Sequence, residues 1–243
     1  MSYFIFNGVN SNDLGIIVTK PIIRPTWAPE VEYQPIIGRP RQIPKEKTWY
    51  PNKELRIEAV LAESSPAKVR DAYDKLRGYG VMNISTAPHE FLNCYVDKID
   101  PNGVAIEMAE FPITFMVEPF AYNDTVQEID IANANVTVKY NGTVFCDPQI
   151  TIVPSAATVT VNCNDVIITV TTPQEIIDAG YPTTYSMTLD CEGQLAYYTR
   201  PNGEKVACTQ LTSGTFPRLH KGDNYVKAQT VQSATMTVRE RWY

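Results

Sequence analysis

Histidine is the side chain most often used to move protons in active sites, and this chain of 243 residues has two, His89 and His220. His89 stands in the loop-like run Ala87-Pro88-His89-Glu90, and His220 in the turn-like run Arg218-Leu219-His220-Lys221-Gly222. Two histidines cannot complete a zinc site without carboxylates, and there is no HExxH helix to supply them. The phosphate-cradling GxxxxGK[ST] loop, the dinucleotide GxGxxG loop and the GxSxG nucleophile elbow are absent as well. The five cysteines, Cys94, Cys146, Cys163, Cys191 and Cys208, are odd in number and show no CxxC and no short spacing to histidine. They indicate neither a disulfide framework nor a metal site and read as small buried apolar groups. Glycosidase-type carboxylates meet only in space, and nothing in the sequence singles out a pair. An enzyme is therefore the least favoured class, and no catalytic residue, metal ligand or cofactor is assigned.

Two other groups of residues are suited to binding. Tyr197 and Tyr198, together with Trp242 and Tyr243, carry aromatic faces that complement the apolar face of a sugar ring. Adjacent tyrosines in a strand point to opposite sides of the sheet, which favours one core and one surface position over a stacking pair. The second group is Ile36, Ile37, Arg39, Arg41, Ile43, Lys45 and Lys47, inside a stretch with prolines at 21, 25, 29, 35, 40, 44 and 51. Each proline removes a ladder donor, so this stretch is neither helix nor central strand but an extended arm or an edge hairpin. It reads either as a charged, solvated loop or as an arm lying on a neighbouring subunit, because long structureless segments in compact domains usually have a role.

Net charge is −6, from 21 basic and 27 acidic side chains, which leaves no footprint for tight nucleic-acid binding or for an anionic membrane surface. The opening residues lack the basic region and apolar run of a signal peptide, and no stretch approaches about 18 consecutive apolar residues. Membrane insertion is not expected, and synthesis and folding in a cytosol are.

The elements that position these residues are mostly strands. One helix is legible: Ser65 can cap it, Pro66 suits its first turn, and Gly78 stops it. Val69, Ala72, Tyr73 and Leu76 form its apolar stripe, so a sheet must receive them. Before it lie short strands at residues 3–6 and 13–18 and an alternating strand from Leu55 to Leu61. After it come strands at 81–84 and 91–99, then the turn Asp100-Pro101-Asn102-Gly103, a strong hairpin signal. On the returning strand Val104, Ile106 and Met108 share one phase, while Phe111, Ile113, Phe115 and Val117 share the other. A bulge and a bend are expected near Ala109-Glu110. Past residues 118–124 the composition shifts toward Thr, Val and Asn, no further good helix is seen, and strands recur roughly every 8 to 12 residues, as in a β-sandwich. The fold class is mainly β: two β-sandwich-like domains, residues 1–127 with a single packed α-helix and residues 128–243 without one.

Read as a whole, the chain resembles the distal tail proteins that form the baseplate hub of long-tailed siphophages. The resemblance rests on Phe4-Ile5-Phe6-Asn7-Gly8 followed by Ser11, Asp13-Leu14-Gly15-Ile16 and Val18. Near the C-terminus it rests on Leu189-Asp190-Cys191, Tyr197-Tyr198, Gly214-Thr215-Phe216-Pro217-Arg218-Leu219, Gly222-Asp223-Asn224 and a final strand ending at Trp242. It implies a homo-hexameric ring formed by the N-terminal domain, joined to the tail tube protein and to a tail-associated lysin or fibre protein. It also implies a galectin-like or carbohydrate-module-like C-terminal sandwich on the outside of the ring that can anchor a receptor-binding protein, in a virion tail tip assembled from protein made in the bacterial host cytoplasm. The acidic balance suits a ring whose lumen lets DNA pass. The alternative is a carbohydrate-binding module that touches host cell-wall saccharide through its C-terminal sandwich.

Overall fold

The structure, a computed structural model, describes residues 2–26, 31–35, 42–46, 50–62, 65–102 and 108–243, with 42–46 described by their backbone alone. The protein is mainly β and divides into two units, Met1–Asp124 with Tyr243, and Thr125–Trp242. The break falls close to the boundary read at 127/128, but Tyr243, assigned from sequence to the second domain, belongs to the first unit.

The first unit contains β1 (Phe4–Phe6), β2 (Val9–Asn10), β3 (Ile16–Val18), β4 (Val31–Pro35), β5 (Gln42–Glu46), β6 (Lys53–Ile57), β7 (Ala59–Ala62), α1 (Pro66–Leu76), β8 (Tyr79–Ile84), β9 (Ala87–Ile99), β10 (Met108–Glu110) and β11 (Ile113–Asn123). Its larger sheet runs β2-β1-β8-β9-β11 with β6 also paired to β11, and a smaller sheet runs β10-β7-β3. Strand alternation sends Phe4, Phe6, Met82, Leu92 and Phe115 from the first sheet, and Ile16 and Leu61 from the second, into one core. The helix closes that core with Ala72 and Leu76, and Val69 and Tyr73 pack at its edge. As the sequence suggests, the Ser65 side chain accepts from the Lys68 N–H and Pro66 opens the helix, while Gly78 adopts a left-handed φ of 91° just past its end. Residues 13–18 are not one strand. Ser11–Leu14 form a 3-10 turn, held because the Asn10 side chain accepts from the Asn12 N–H, and the strand begins only at Ile16.

The expected bend near Ala109-Glu110 is a larger event than a bulge. β10 pairs with β7 in the small sheet, and after Phe111-Pro112 the chain resumes as β11 in the large one. Its neighbour does the same: the run from Leu55 to Leu61 is two strands, β6 in the large sheet and β7 in the small one, parted at Glu58. The two strands thus change sheets side by side, and the Phe111 N–H donates to the Ala59 carbonyl at the corner, 2.8 Å. Asn102 pairs with Glu110 across the hairpin turn; Gly103, Val104 and Ile106 lie outside the described residues. Phe111 is fully buried and meets the edge of the Tyr73 ring, whose hydroxyl donates to the Ile99 carbonyl, 2.5 Å.

The second unit is a sandwich. Its strands are β12 (Gln127–Asp130), β13 (Val136–Tyr140), β14 (Gln149–Pro154), β15 (Thr158–Cys163), β16 (Val166–Thr171), β17 (Ser186–Asp190), β18 (Leu195–Thr199), β19 (Lys205–Ala207), β20 (Thr212–Gly214), β21 (Gly222–Gln229) and β22 (Val231–Val238). They form two sheets, β12-β22-β14-β17-β18-β19 and β13-β21-β15-β16-β20, whose inner faces meet in a core that includes Ile150, Leu189, Met236, Val161, Ile168 and Ala228. A five-residue helix, α2 (Gln174–Asp178), interrupts the strand pattern; it escapes a periodicity reading because it is barely more than one turn and buries only Ile176.

Truncating the corner side chain should weaken both sheets of the first unit at once. Phe111→Ala is expected to cost about 3–5 kcal/mol in urea denaturation of the full chain, against about 1 kcal/mol for Tyr73→Phe, which removes only the bond to Ile99; equal, small losses would mean the corner is not under packing constraint.

Candidate functional site

The proline-rich stretch forms a β-hairpin. β4 and β5 pair antiparallel, Val31 opposite Glu46 through Pro35 opposite Gln42, and among the described residues they pair with no other strand. All five residues of β4 are exposed, Tyr33 at 62%. Of the residues singled out in sequence, Ile43 and Lys45 lie in β5 opposite Gln34 and Glu32, while Ile36, Ile37, Arg39, Arg41 and Lys47 lie outside the described residues.

Both roots of the hairpin are fastened. On the incoming side Ile22 is buried, Arg24 bonds the Glu90 carboxylate at 2.8 Å and donates to the Tyr243 carbonyl. On the outgoing side Lys53 donates to the Thr26 carbonyl, 2.7 Å, and Tyr50 packs its ring on Phe120 and Tyr243, with its hydroxyl 2.8 Å from that of Tyr243. A two-stranded hairpin is marginal alone in water, so this one is tied to a rigid body at its base and presents both faces of β4 to solvent.

The two adjacent tyrosines of β18 are separated by the pleat. Tyr198 is buried and its hydroxyl donates to Glu175 of α2 at 2.8 Å; Tyr197 lies half-buried on the opposite face, with the Lys205 ammonium 4.8 Å from its ring centroid and its hydroxyl accepting from Gln149 at 3.3 Å. A sugar could therefore reach Tyr197 but not Tyr198. Around Glu175 the structure gathers groups that no sequence motif joins: its carboxylate accepts from Tyr198, from Tyr185 at 3.2 Å and from Arg200, whose Nη2 lies at 2.8 Å. Arg200 also binds Glu204. The Arg200 bonds first, and the Tyr198 bond next, hold the Glu175 carboxyl down at about 2. Both Glu175 oxygens accept from side chains of its own chain, which fastens α2 to β18 and the residue after it.

A second cluster closes the far end of the same unit. Arg241 is buried and donates to the Phe145 carbonyl, to Glu192 and to Asp147 at 2.7 Å. Asp147 also takes a bond from Arg218 at 2.6 Å, and the Phe145 ring lies 3.8 Å from the Arg218 guanidinium carbon. His89 and His220 are both exposed; the backbone of His220 is held by the buried Asn224, whose amide also reaches the Gly222 carbonyl. The cysteines are buried free thiols; burial pushes Cys94 up to about 12 and Cys163 and Cys208 to about 11. Among the described residues no group of three His, Cys, Asp or Glu side chains is placed to hold a metal ion.

No protein-family model matches the chain, and no curated protein does. Among solved structures it is similar to SPP1 Dit (gp 19.1), with a TM-score of 0.77 and 16% sequence identity over 100% of both chains. The chain has the fold of that protein. SPP1 Dit is described as a paradigm of the hub adsorption apparatus in phages that infect Gram-positive bacteria.

The Glu175 cluster makes a pH-dependent contribution whose sign is fixed. A carboxyl held below its ordinary value of 4.5 stabilises the fold above that value and loses the contribution as pH falls toward 2. Thermal melts of wild type and Glu175→Gln should differ at pH 6 and converge between pH 4.5 and 2; a gap that stays constant with pH would show that the carboxylate charge is not what Arg200 holds.

Proposed function

We propose that the protein is a structural hub component of a phage adsorption apparatus, with no catalytic activity. The observation that carries this reading is the likeness to a hub protein over the full length of both chains, and the sequence resemblance points to the same class. In this reading six copies close into a ring through residues 1–127. The ring joins the tail tube protein to a tail-associated lysin or fibre protein at the virion tail tip. Residues 128–243, a galectin-like sandwich, carry the receptor-binding protein.

Ring closure requires two different patches, one on each side of every subunit, repeated around an axis. The β4–β5 hairpin supplies one patch: its roots are fixed, β4 is exposed, and among the described residues no third strand pairs with it. Residues 21–51 cross to the adjacent subunit, with Ile36, Ile37, Arg39, Arg41, Ile43, Lys45 and Lys47 as the contacting set. The saccharide-binding alternative retains Tyr197 alone, since Tyr198 is committed to Glu175.

Light scattering and negative-stain imaging of the full chain test the ring. Wild type is expected at about six times the 27.3 kDa chain mass, and a variant with residues 36–47 replaced by a short glycine turn is expected as monomer. A deletion variant that still sediments as a ring removes the arm from the interface; a wild type that stays monomeric at every concentration removes the ring.

A further inference from the structure

Asn83 and Ile84 are consecutive on β8, yet their partners on β9, Phe91 and Ala87, are parted by Pro88, His89 and Glu90. The ladder is interrupted there by a bulge, a device that re-aims side chains. Two carbonyls of the bulge find donors elsewhere. The Asp124 N–H donates to the His89 carbonyl at 3.0 Å, and the Asn83 side-chain amide donates to the Glu90 carbonyl at 3.0 Å. The same amide nitrogen also donates to the Asp124 carboxylate at 3.1 Å. Beside these bonds lies a cleft of about 230 Å³, lined by Tyr3, Ile5, Asn83, Ile84, Pro88 and Asp124.

The polar side chains of this cleft offer acceptors almost exclusively. Both hydrogens of the Asn83 amide are used, which fixes its orientation and leaves Oδ1 as an acceptor. Asp124 is exposed, and its carboxylate accepts from the neutral Asn83 amide; among the described residues no basic side chain lies within salt-bridge distance of it. Arg24, which pairs with Glu90 of the same bulge, is engaged there and at the Tyr243 carbonyl. The remaining walls, Ile5, Pro88 and Tyr3, are apolar or aromatic. A metal ion would need more ligands, and among the described residues no three His, Cys, Asp or Glu side chains converge to supply them.

We propose that this cleft binds a primary alkylammonium group, the end of a lysine side chain or of a free diamine. An ammonium brings one positive charge and three N–H donors with no acceptor, which complements a carboxylate and an amide oxygen that lack donors of their own. Its methylene stem lies along Ile5, Pro88 and Tyr3, as such stems do on apolar walls. A sugar fits less well, because its hydroxyl oxygens also need donors, and Tyr3 is the one lining side chain with a donor left to give. The bound charge stays near solvent, so the interaction is weak and sensitive to salt. This site and the ring reading do not depend on each other.

Ligand-observed saturation-transfer NMR on the full-length protein tests the site with cadaverine, with Nα-acetyl-lysine N-methylamide and, as the uncharged control, with n-pentanol. Transfer to the methylenes of an amine should exceed that to n-pentanol by about fivefold and fall by about fivefold in Asp124→Asn, the effect of one charge pair in water. Pro88→Lys, which tethers a competing ammonium at the rim, should give the same loss and serves if Asp124→Asn lowers the melting temperature. Transfer to cadaverine alone assigns a free diamine, to the lysine derivative alone a protein side chain, and to both the ammonium itself; each supports the site. No transfer, transfer matched by n-pentanol, or transfer that survives both variants overturns it. An equal loss in Glu128→Gln, an exposed carboxylate of the second unit, also overturns it, by showing only the general attraction of an acidic chain for cations. Light scattering on the same samples reports on the ring separately.

Discussion

The bond from the Phe111 N–H to the Ala59 carbonyl marks the constraint on which the first unit depends: two neighbouring strands leave one sheet and enter the other at the same level. Because β6 and β11 continue as β7 and β10, the register of one sheet dictates that of the other. A slip of one residue between β6 and β11 would turn Leu55 and Ile57 out to solvent, and the same slip would be passed to Leu61 and Ala109 in the small sheet. Pro112 follows the corner residue, where its missing N–H removes no ladder bond, and its carbonyl still accepts from Asp100. The helix lies over this corner through Tyr73 and Phe111. The β4–β5 pair therefore leaves from a unit whose two layers share their register.

Polar groups in the protein differ in how fully their own chain partners them. In the second unit two clusters of charged groups are partnered within the chain. Arg241 spends its guanidinium on a carbonyl and two carboxylates, and Glu175 takes donors from three side chains. Removing Asp147 would leave the buried Arg241 without its closest carboxylate, which makes that cluster a stability element, whereas the Glu175–Arg200 pair is partly exposed. In the first unit Glu118 is oriented by two neutral donors, and the hairpin exposes apolar groups without cover. Groups that their own chain leaves half-satisfied are the ones through which a second molecule can gain contacts.

Much of this was legible in the sequence, and the losses have physical causes. The helix and its cap could be read because Ser65, Pro66 and Gly78 each suit one backbone position. The extended character of residues 31–35 and 42–46 could be read because the prolines exclude helix and central strand, and the mainly β class because alternation and turns recur. The sheet-switching corner was seen as a change of phase but misjudged as a bulge, since a period-2 pattern records which face a residue takes and not which sheet it joins. The Glu175 cluster was invisible because Glu175, Tyr185, Tyr198 and Arg200 are brought together only by the fold. The cleft beside Asp124 was missed for a related reason: Asn83 and Asp124 are 41 positions apart and meet only through the pairing of β8, β9 and β11.

The short motifs read in the sequence mix core positions such as Phe4, Phe6, Ile16, Leu189 and Leu219 with positions where the backbone limits the choice of residue. Asn7 and Gly8 both take positive φ, 49° and 81°, and the Asn7 side chain accepts from the Val81 N–H. That contact in turn demands Gly80, where an added Cβ would lie 2.2 Å from the Asn7 amide oxygen. Arg218 and Leu219 seal the Cys146-Asp147 segment through two backbone bonds and one ion pair, and Asn224 organises the turn that follows. Core positions need only an apolar side chain of about the right volume, so they can diverge without changing the fold. A chain can then share the fold of SPP1 Dit at 16% identity while matching no family model.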